Sequence, residues 1–261
     1  VMGDQLNDEE WRLVRLDRLG LKEDPFKLSA DPRYLYLGPE HLAVYRQAQA
    51  VISRRRGLAL ITGDMGMGKS SLARRLYDVH TAAFKSAMDA ARQISEVLGV
   101  PRLRSFQLQM EELEKFMAGA YTANHNVVVM LDDAQLMEPE ALEVLHRLYN
   151  FDYDAKVVQV LAFGQSEMAS VFEFNKAVNA RVFVRLALPP LTLSSALQMV
   201  LFRLSVAGRS LPLINDDAFE ELYEKSQGVP REIIRLCALS MDYLLESDES
   251  MITLEIARKA N

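Results

Sequence analysis

Residues 63–70 have the spacing of a loop that binds phosphate groups. They fit the pattern G-x-x-x-x-G-K-[ST], in which glycines let consecutive backbone N–H groups turn inward around an anion. Lys69 would supply a positive charge for the β- and γ-phosphates, and the hydroxyl of Ser70 can bind Mg²⁺. We therefore predict a site for a nucleotide and Mg²⁺. Its predicted binding residues are Gly63, Asp64, Met65, Gly66, Met67, Gly68, Lys69, Ser70 and Ser71.

The elements that must position this loop alternate along the chain. An apolar strand is predicted at residues 58–62, and helix-forming residues follow the loop. Further apolar strands are predicted at residues 127–131, 157–163 and 182–186, with helices between them. Continuous apolar strands separated by helices indicate a parallel sheet covered on both faces. The fold class is therefore α/β, with a phosphate-binding loop after the first strand.

The predicted organisation has three parts. Residues 1–56 form a leader that packs on the core, residues 57–190 form the α/β nucleotide-binding core, and residues 191–261 form a small all-helical lid. A parallel sheet of this type needs another strand before the helix predicted at 82–98, and only residues 77–80 are available for it. Either that strand is very short or a segment is missing near this point; we favour a missing segment.

Composition sets limits on location and partners. No apolar run reaches the ~18 residues that span a membrane, so no membrane segment is expected. The single cysteine, Cys237, cannot form an internal disulfide, which favours a reducing, cytoplasmic setting. The net charge is −6, but residues 215–261 alone carry eleven acidic and five basic side chains, which leaves the rest neutral. A locally basic core face is compatible with a polyanion and equally with a solvated face around a phosphate site.

The chain resembles AAA+ ATPases of the ExeA/general-secretion-A type, which are similar to transposition ATPases of the TnsC/TniB kind. The resemblance runs from Leu19 to the C-terminus and depends on several motifs in a characteristic order. Besides the phosphate loop, the motifs are residues 19–26, 31–37, 39–41, 131–135, 164–167, 189–191 and 228–231. It implies an AAA+ core with a helical lid and an ATPase activity.

The resemblance also implies roles for two acidic residues after the second predicted strand. Asp132 would hold Mg²⁺ together with Ser70. The next residue in such enzymes is usually Glu, which orients and deprotonates the attacking water, but here it is Asp133. Its carboxylate reaches about 1.5 Å less far, and misplacement of that size costs on the order of a hundredfold in rate. We therefore expect slow hydrolysis; the alternative is that Asp133 is the N-cap of the next segment.

Three further polar residues match catalytic positions of the family. Gln165 corresponds to the sensor-1 residue that contacts the γ-phosphate or the water, or else it caps a loop. Arg231 resembles the sensor-2 arginine of the lid, whose guanidinium suits phosphate oxygens. Arg181, or failing that Arg185, lies where the family has its arginine finger, which completes the site of a neighbouring subunit. The alternative for Arg181 is a surface salt bridge.

Three functions remain open. The first is a DNA-associated switch that forms a ring or helical oligomer on double-stranded DNA when it binds ATP, and recruits other transposition or targeting proteins. Its DNA contacts would be to phosphates, and the candidates are Lys85, Arg102 and Arg104. The second is a secretion or envelope-assembly ATPase, and the third is a scaffold that binds but does not hydrolyse nucleotide. Secretion ATPases of this type continue into a membrane helix, so a chain ending at Asn261 favours the first function.

Overall fold

The structure, a computed structural model, describes residues 8–28, 31–76, 84, 86–138, 140–150 and 156–260. The chain divides into two compact units. The sheet unit is His41–Pro189, and the helical unit consists of Val1–Glu40 and Pro190–Asn261. The predicted leader, residues 1–56, is thus divided at Glu40, because its first half shares an apolar core with the C-terminal helices rather than with the sheet.

The secondary structure alternates as predicted. The strands are β1 (Leu58–Thr62), β2 (Val127–Leu131), β3 (Val158–Gly164) and β4 (Val182–Ala187). The helices are α1 (Asp8–Arg18), α2 (Pro39–Ser53), α3 (Lys69–Leu76), α4 (Ala87–Val97), α5 (Phe106–Thr122), α6 (Ala141–Tyr149), α7 (Met168–Phe174), α8 (Lys176–Asn179), α9 (Leu193–Val206), α10 (Asp216–Ser226), α11 (Pro230–Glu246) and α12 (Leu254–Lys259). None of these described helices is both long and apolar enough to cross a membrane.

The sheet of the sheet unit is parallel in every pairing, with strand order β2-β3-β1-β4. Every residue of β3 is buried, and so are the first four residues of β1. A strand that is buried along its whole length has other elements packed on both of its faces. This explains why every residue of β3 except Gln159 is apolar. The predicted α/β class is therefore confirmed.

Local sequence signals set several helix ends. Ser86 accepts a hydrogen bond from the Asp89 N–H (3.1 Å) at the start of α4, and Thr192 accepts one from the Ser195 N–H (3.3 Å) at the start of α9. Pro230 occupies the first turn of α11, where its missing N–H has no intrahelical partner to lose. The helices of residues 191–261 agree with the predicted all-helical character of that part of the chain.

Two sequence predictions fall outside the described residues. They concern the strand or missing segment at residues 77–80 and the DNA candidate Lys85.

The helical unit contains an element that the sequence analysis did not predict. Helix α1 lies in the leader, and Leu16 at its C-terminal end is 2% exposed. Leu16, Leu19 and Phe26 belong to the same buried cluster as apolar residues of α9 to α12. The apolar face of α1 is narrow, so the sequence of this segment alone does not predict a helix.

A buried arginine holds the leader segment against α9 within this unit. Arg203 is 4% exposed and donates hydrogen bonds to the carbonyl oxygens of Pro25 (2.7 Å), Lys27 (2.8 Å) and Tyr34 (3.3 Å). Its guanidinium also lies 4.7 Å from the centroid of the Tyr34 ring. Burial lowers the pKa of Arg203, and the carbonyl dipoles and the ring compensate for the lost hydration.

The single cysteine is inert in this fold. Cys237 lies in α11 and is fully buried, and the burial raises its thiol pKa to about 12. Because the thiolate is the reactive and metal-binding form, Cys237 is neither a nucleophile nor a ligand at neutral pH.

We predict that Arg203→Leu destabilises the helical unit by about 2–4 kcal/mol, because three carbonyl groups, two of them in buried hydrogen bonds, lose their donor. Urea unfolding followed by circular dichroism measures the change. Arg258→Leu, at an exposed position on α12, is the matched control and should change stability by less than about 0.5 kcal/mol. Equal losses in the two variants would contradict the assignment.

Candidate nucleotide-binding site

The phosphate-binding loop lies between the carboxyl end of β1 and the start of α3. Gly66 and Gly68 have φ angles of 84° and 90°, a region that residues with side chains rarely adopt. A Cβ at Gly68 would have no heavy atom within 4 Å, so the loop is open on that side. The N–H groups at the start of α3 are the donors that favour an anion at this position.

Lys69 is folded onto its own loop. It is 8% exposed, and its Nζ donates to the carbonyl oxygens of Gly63 (2.6 Å) and Asp64 (2.9 Å). The ammonium is therefore held across the loop between Gly63 and Asp64. Among the other loop residues, Met67 is buried and anchors the loop, while Asp64, Met65, Ser70 and Ser71 are exposed.

The start of the loop is held by both neighbouring strands. The N–H of Gly63 donates to the carbonyl of Gly164 at the end of β3 (3.1 Å). The N–H of Leu188, just after β4, donates to Thr62 (2.7 Å). A Cβ on Gly63 would lie 3.1 Å from that of Leu188, so a glycine is favoured by this close approach.

Asp132 and Asp133 follow β2 at the same edge of the sheet. Asp132 is partly exposed, and its Oδ1 accepts the N–H of Asp133 (3.1 Å). Asp133 is exposed and has φ 52° and ψ 39°, a left-handed conformation that Asp tolerates better than most residues. It occupies the N-cap position of a short 3₁₀ helix, but its side chain makes no capping hydrogen bond. Asp133 is therefore the N-cap residue of the next segment, as the alternative predicts, but its side chain does not cap the helix by a hydrogen bond.

Gln165 is the first residue after β3. Its backbone N–H donates to Oε1 of Gln135 (3.1 Å), and Nε2 of Gln135 donates to Oδ1 of Asp133 (3.2 Å). Gln135 thus joins Asp133 to the end of β3. Gln135 lies in the motif at residues 131–135, but this role was not predicted from the sequence; its place two residues after Asp133 was the available signal.

Arg181 lies at the opposite edge of the sheet. It immediately precedes β4, whose first residue pairs with Leu58 at the start of β1. The phosphate loop follows the other end of β1. The length of β1, about 15 Å, therefore separates Arg181 from the phosphate loop of its own chain. It donates to Oδ1 of Asn150 (2.6 Å), a neutral partner rather than the carboxylate that a salt bridge needs. Arg185 is exposed in β4 and donates to Asn179.

Arg231 belongs to the helical unit. It is exposed in the first turn of α11, after Gly228, whose φ is 74°. A Cβ on Gly228 would lie 2.4 Å from the carbonyl oxygen of Leu191, so only glycine fits the turn that sets the start of α11. Arg102 and Arg104, the described DNA candidates, are exposed between α4 and α5, and Arg102 is 3.9 Å from the carboxylate of Glu96.

Comparison with known proteins identifies the fold. Residues 52–172 match the family model described as AAA domain. The structure is similar to that of Cdc6p from Pyrobaculum aerophilum, with TM-score 0.67 and 17% identity over 90% of this chain and 69% of that one. It is also similar to the Aeropyrum pernix ORC2 protein in ADPNP–ADP complexes, with TM-score 0.64, 17% identity and coverage of 90% and 70%. The chain has a P-loop AAA+ fold.

One curated protein has a similar sequence over most of this chain. The chain is 28% identical over 232 residues to general secretion pathway protein A of Aeromonas hydrophila. The match covers 84% of this chain but spans only 42% of the length of that relative. The AAA+ fold and the AAA domain support nucleotide binding and hydrolysis in general terms.

The residues of this AAA+ core fit a magnesium nucleotide. The loop offers backbone donors and the buried ammonium of Lys69, and Ser70 and Asp132 offer a hydroxyl and a carboxylate at one edge of the sheet. Among the described residues there is no group of three or more His, Cys, Asp or Glu side chains that could hold a metal by itself. Mg²⁺ in nucleotide sites takes one or two protein oxygens and completes its shell with phosphates and water, so this sparse set is sufficient.

We predict that Lys69→Ala lowers the affinity for ATP by at least tenfold, because the loop loses the cation that faces the phosphates. Fluorescence titration with a labelled ATP analogue measures the dissociation constant. Lys115→Ala, which removes an exposed lysine paired with Glu112 on α5, is the control and should leave affinity unchanged. Unchanged affinity in Lys69→Ala would contradict the assignment of the loop.

Proposed function

We propose that this chain is a magnesium-dependent ATPase that acts as a slow, ATP-dependent oligomeric switch on duplex DNA, as a regulator of transposition of the TnsC/TniB kind. The observation that supports the ATPase most directly is the common edge of the sheet. There the phosphate loop with Lys69 and the carboxylates of Asp132 and Asp133 follow strands that pair in parallel.

In this proposal each polar residue at that edge has its own task. Lys69 and the loop N–H groups bind the phosphates, and Ser70 with Asp132 positions Mg²⁺, which polarises the phosphoryl group when bound. Asp133 orients the attacking water, and Gln165 contacts the γ-phosphate or that water. The shorter reach of Asp133 makes hydrolysis slow, so the ATP-bound form is long-lived.

The proposed oligomer follows from the position of Arg181. Because a strand length separates it from the loop of its own chain, Arg181 is suited to supply a cation to the site of a neighbouring copy. Arg231, from the helical unit, is proposed to report the γ-phosphate as the sensor-2 residue. ATP bound between two copies would then stabilise a ring or helical assembly.

The DNA part of the proposal is supported by charge and by fold neighbours. Arg102 and Arg104 are exposed on one short loop, and the Aeropyrum pernix ORC1 protein, solved in complex with DNA, has the same fold with TM-score 0.61 and 18% identity. The match covers 86% of this chain and 65% of that one. The proposal places the assembly in the cytoplasm, where duplex DNA and the other transposition or targeting proteins would be available.

A second candidate is a secretion or envelope-assembly ATPase, and the 28% identity to general secretion pathway protein A favours it. Electron microscopy with duplex DNA and a non-hydrolysable ATP analogue separates the two. The switch on DNA predicts rings or filaments that need both; the secretion ATPase predicts assembly that does not depend on DNA. Absence of any DNA-dependent assembly would overturn the leading proposal.

We predict that Asp133→Glu raises kcat for ATP hydrolysis by about 10- to 100-fold, because the longer side chain brings the carboxylate closer to the water. Steady-state phosphate release measures it, with Asp216→Glu, at an exposed position in the first turn of α10, as the control. A wild-type kcat already near ~10 s⁻¹ would contradict slow turnover. Absence of hydrolysis in both proteins would favour the nucleotide-dependent scaffold.

We predict that the double variant Arg102→Ala/Arg104→Ala weakens binding to duplex DNA equally for unrelated sequences. The slope of log affinity against log salt concentration should become less steep by about 2, since each lost phosphate contact removes ~0.9. Fluorescence anisotropy at several salt concentrations measures both quantities. Arg74→Ala/Arg75→Ala on α3 is the matched control; if the control lowers the slope and the test variant does not, the DNA surface is assigned wrongly.

A further inference from the structure

A chain of three hydrogen bonds connects the phosphate loop to Asp133 inside the sheet unit. The N–H of Gly63, the first loop residue, donates to the carbonyl of Gly164 (3.1 Å). The same peptide group carries the N–H of Gln165 on its other side, and this N–H donates to Oε1 of Gln135 (3.1 Å). Nε2 of Gln135 then donates to Oδ1 of Asp133 (3.2 Å).

The orientation of the Gln135 amide is dictated by its two partners. A backbone N–H can only donate and an ionised carboxylate can only accept, so the oxygen of the amide must face Gln165 and its nitrogen must face Asp133. If the amide were rotated by half a turn, its NH₂ group would face the N–H of Gln165, and its oxygen would face the carboxylate of Asp133. Neither pair could form a hydrogen bond. The side chain of Gln135 meets both requirements, because its terminal amide carries an acceptor and a donor on one planar group.

Gly164 leaves the space in which this amide lies. A Cβ at Gly164 would be 2.7 Å from Oε1 of Gln135 and 2.9 Å from Sδ of Met168. The first distance is shorter than any real Cβ contact, so a side chain at Gly164 would displace the amide. The end of β3 is therefore shaped to admit Gln135.

We propose that Gln135 is a positioning residue that couples the phosphate loop to the orientation of Asp133. The proposal rests on the function proposed above, because it takes Asp133 to be the group that orients the attacking water. The bond to Oδ1 restrains the carboxylate and leaves Oδ2 for the water. When the phosphate loop closes on an anion and Gly63 shifts, the Gly164–Gln165 peptide shifts with it, and Gln135 transmits the change to Asp133.

Geometry separates this coupling from a purely structural role. If Gln135 only held the segment after β2 against β3, the hydrogen bond that it accepts from the Gln165 N–H would be sufficient for that role. Gln135→Glu keeps an acceptor for that N–H, but it replaces the donor by a carboxylate beside Asp133. Coupling therefore predicts that Gln135→Glu is as defective in turnover as Gln135→Leu, whereas a structural role predicts turnover close to that of the wild type.

The experiment measures ATP affinity and single-turnover hydrolysis for Gln135→Leu and Gln135→Glu, with Gln107→Leu, an exposed glutamine of α5, as control. We expect kcat to fall by about 10- to 100-fold in both test variants, with the dissociation constant of ATP within about twofold of the wild type. In an Asp133→Ala background, Gln135→Leu should have no further effect. An unchanged kcat in Gln135→Leu, or the same loss in the absence of the Asp133 carboxylate, would overturn the proposal.

A second measurement distinguishes failure of this inference from failure of the proposed ATPase. Amide hydrogen exchange by NMR reports the Gln165 N–H without any turnover. In the wild type this N–H should be protected from exchange, and its protection should change when pyrophosphate with Mg²⁺ binds the loop. Both effects should be lost in Gln135→Leu. Both should be kept in the control, Gln107→Leu. If the wild type does not hydrolyse ATP, the proposed ATPase fails while this result still decides the coupling; unchanged exchange in Gln135→Leu would overturn it.

Discussion

The parallel pairing of β1 with β3 on one side and β4 on the other is the constraint on which the site depends. In this register Thr62 lies beside both Gly164 and Ala187, so the chain leaves all three strands at one edge. The phosphate loop starts there, held by the Gly164 carbonyl. Because β2 pairs in parallel with β3, Asp132 emerges at the same edge. If either the β1–β3 or the β2–β3 pairing were antiparallel, the loop and the carboxylates would lie at opposite ends of the strands.

Much of this fold was predictable because its signals are local. The strands at 58–62 and 127–131 are uninterrupted apolar runs, and α11 begins at a proline that suits a first turn. Helix α1 was not predicted, since the apolar residues that define its buried face are covered by α11 and its neighbours, far away in the sequence. For the same reason the division of the leader at Glu40 could not be inferred from composition.

The site was predictable as residue types, but its internal connections were not. The motif predicts that Lys69 binds a phosphate, but it does not predict that the ammonium donates hydrogen bonds to the carbonyl oxygens of Gly63 and Asp64. Likewise, Gln135 and Gln165 are 30 positions apart, and only the parallel strand pairing brings them within hydrogen-bond distance. The left-handed conformation of Asp133 depends on this surrounding support, because isolated Asp residues prefer other regions of φ and ψ.

These contacts have an energetic consequence for the proposed ATP-dependent switch. If Lys69 binds the phosphates as proposed, its ammonium exchanges the carbonyl oxygens of Gly63 and Asp64 for phosphate oxygens, so part of the interaction energy replaces contacts that already exist. The left-handed backbone at Asp133 costs on the order of 1 kcal/mol and is retained by its neighbours. Binding therefore does not need to create the arrangement of the carboxylate; it needs only to shift it. In the proposed mechanism the hydrogen bonds of Gln135 connect the phosphate loop, which would hold the nucleotide, to Asp133, on which hydrolysis would depend.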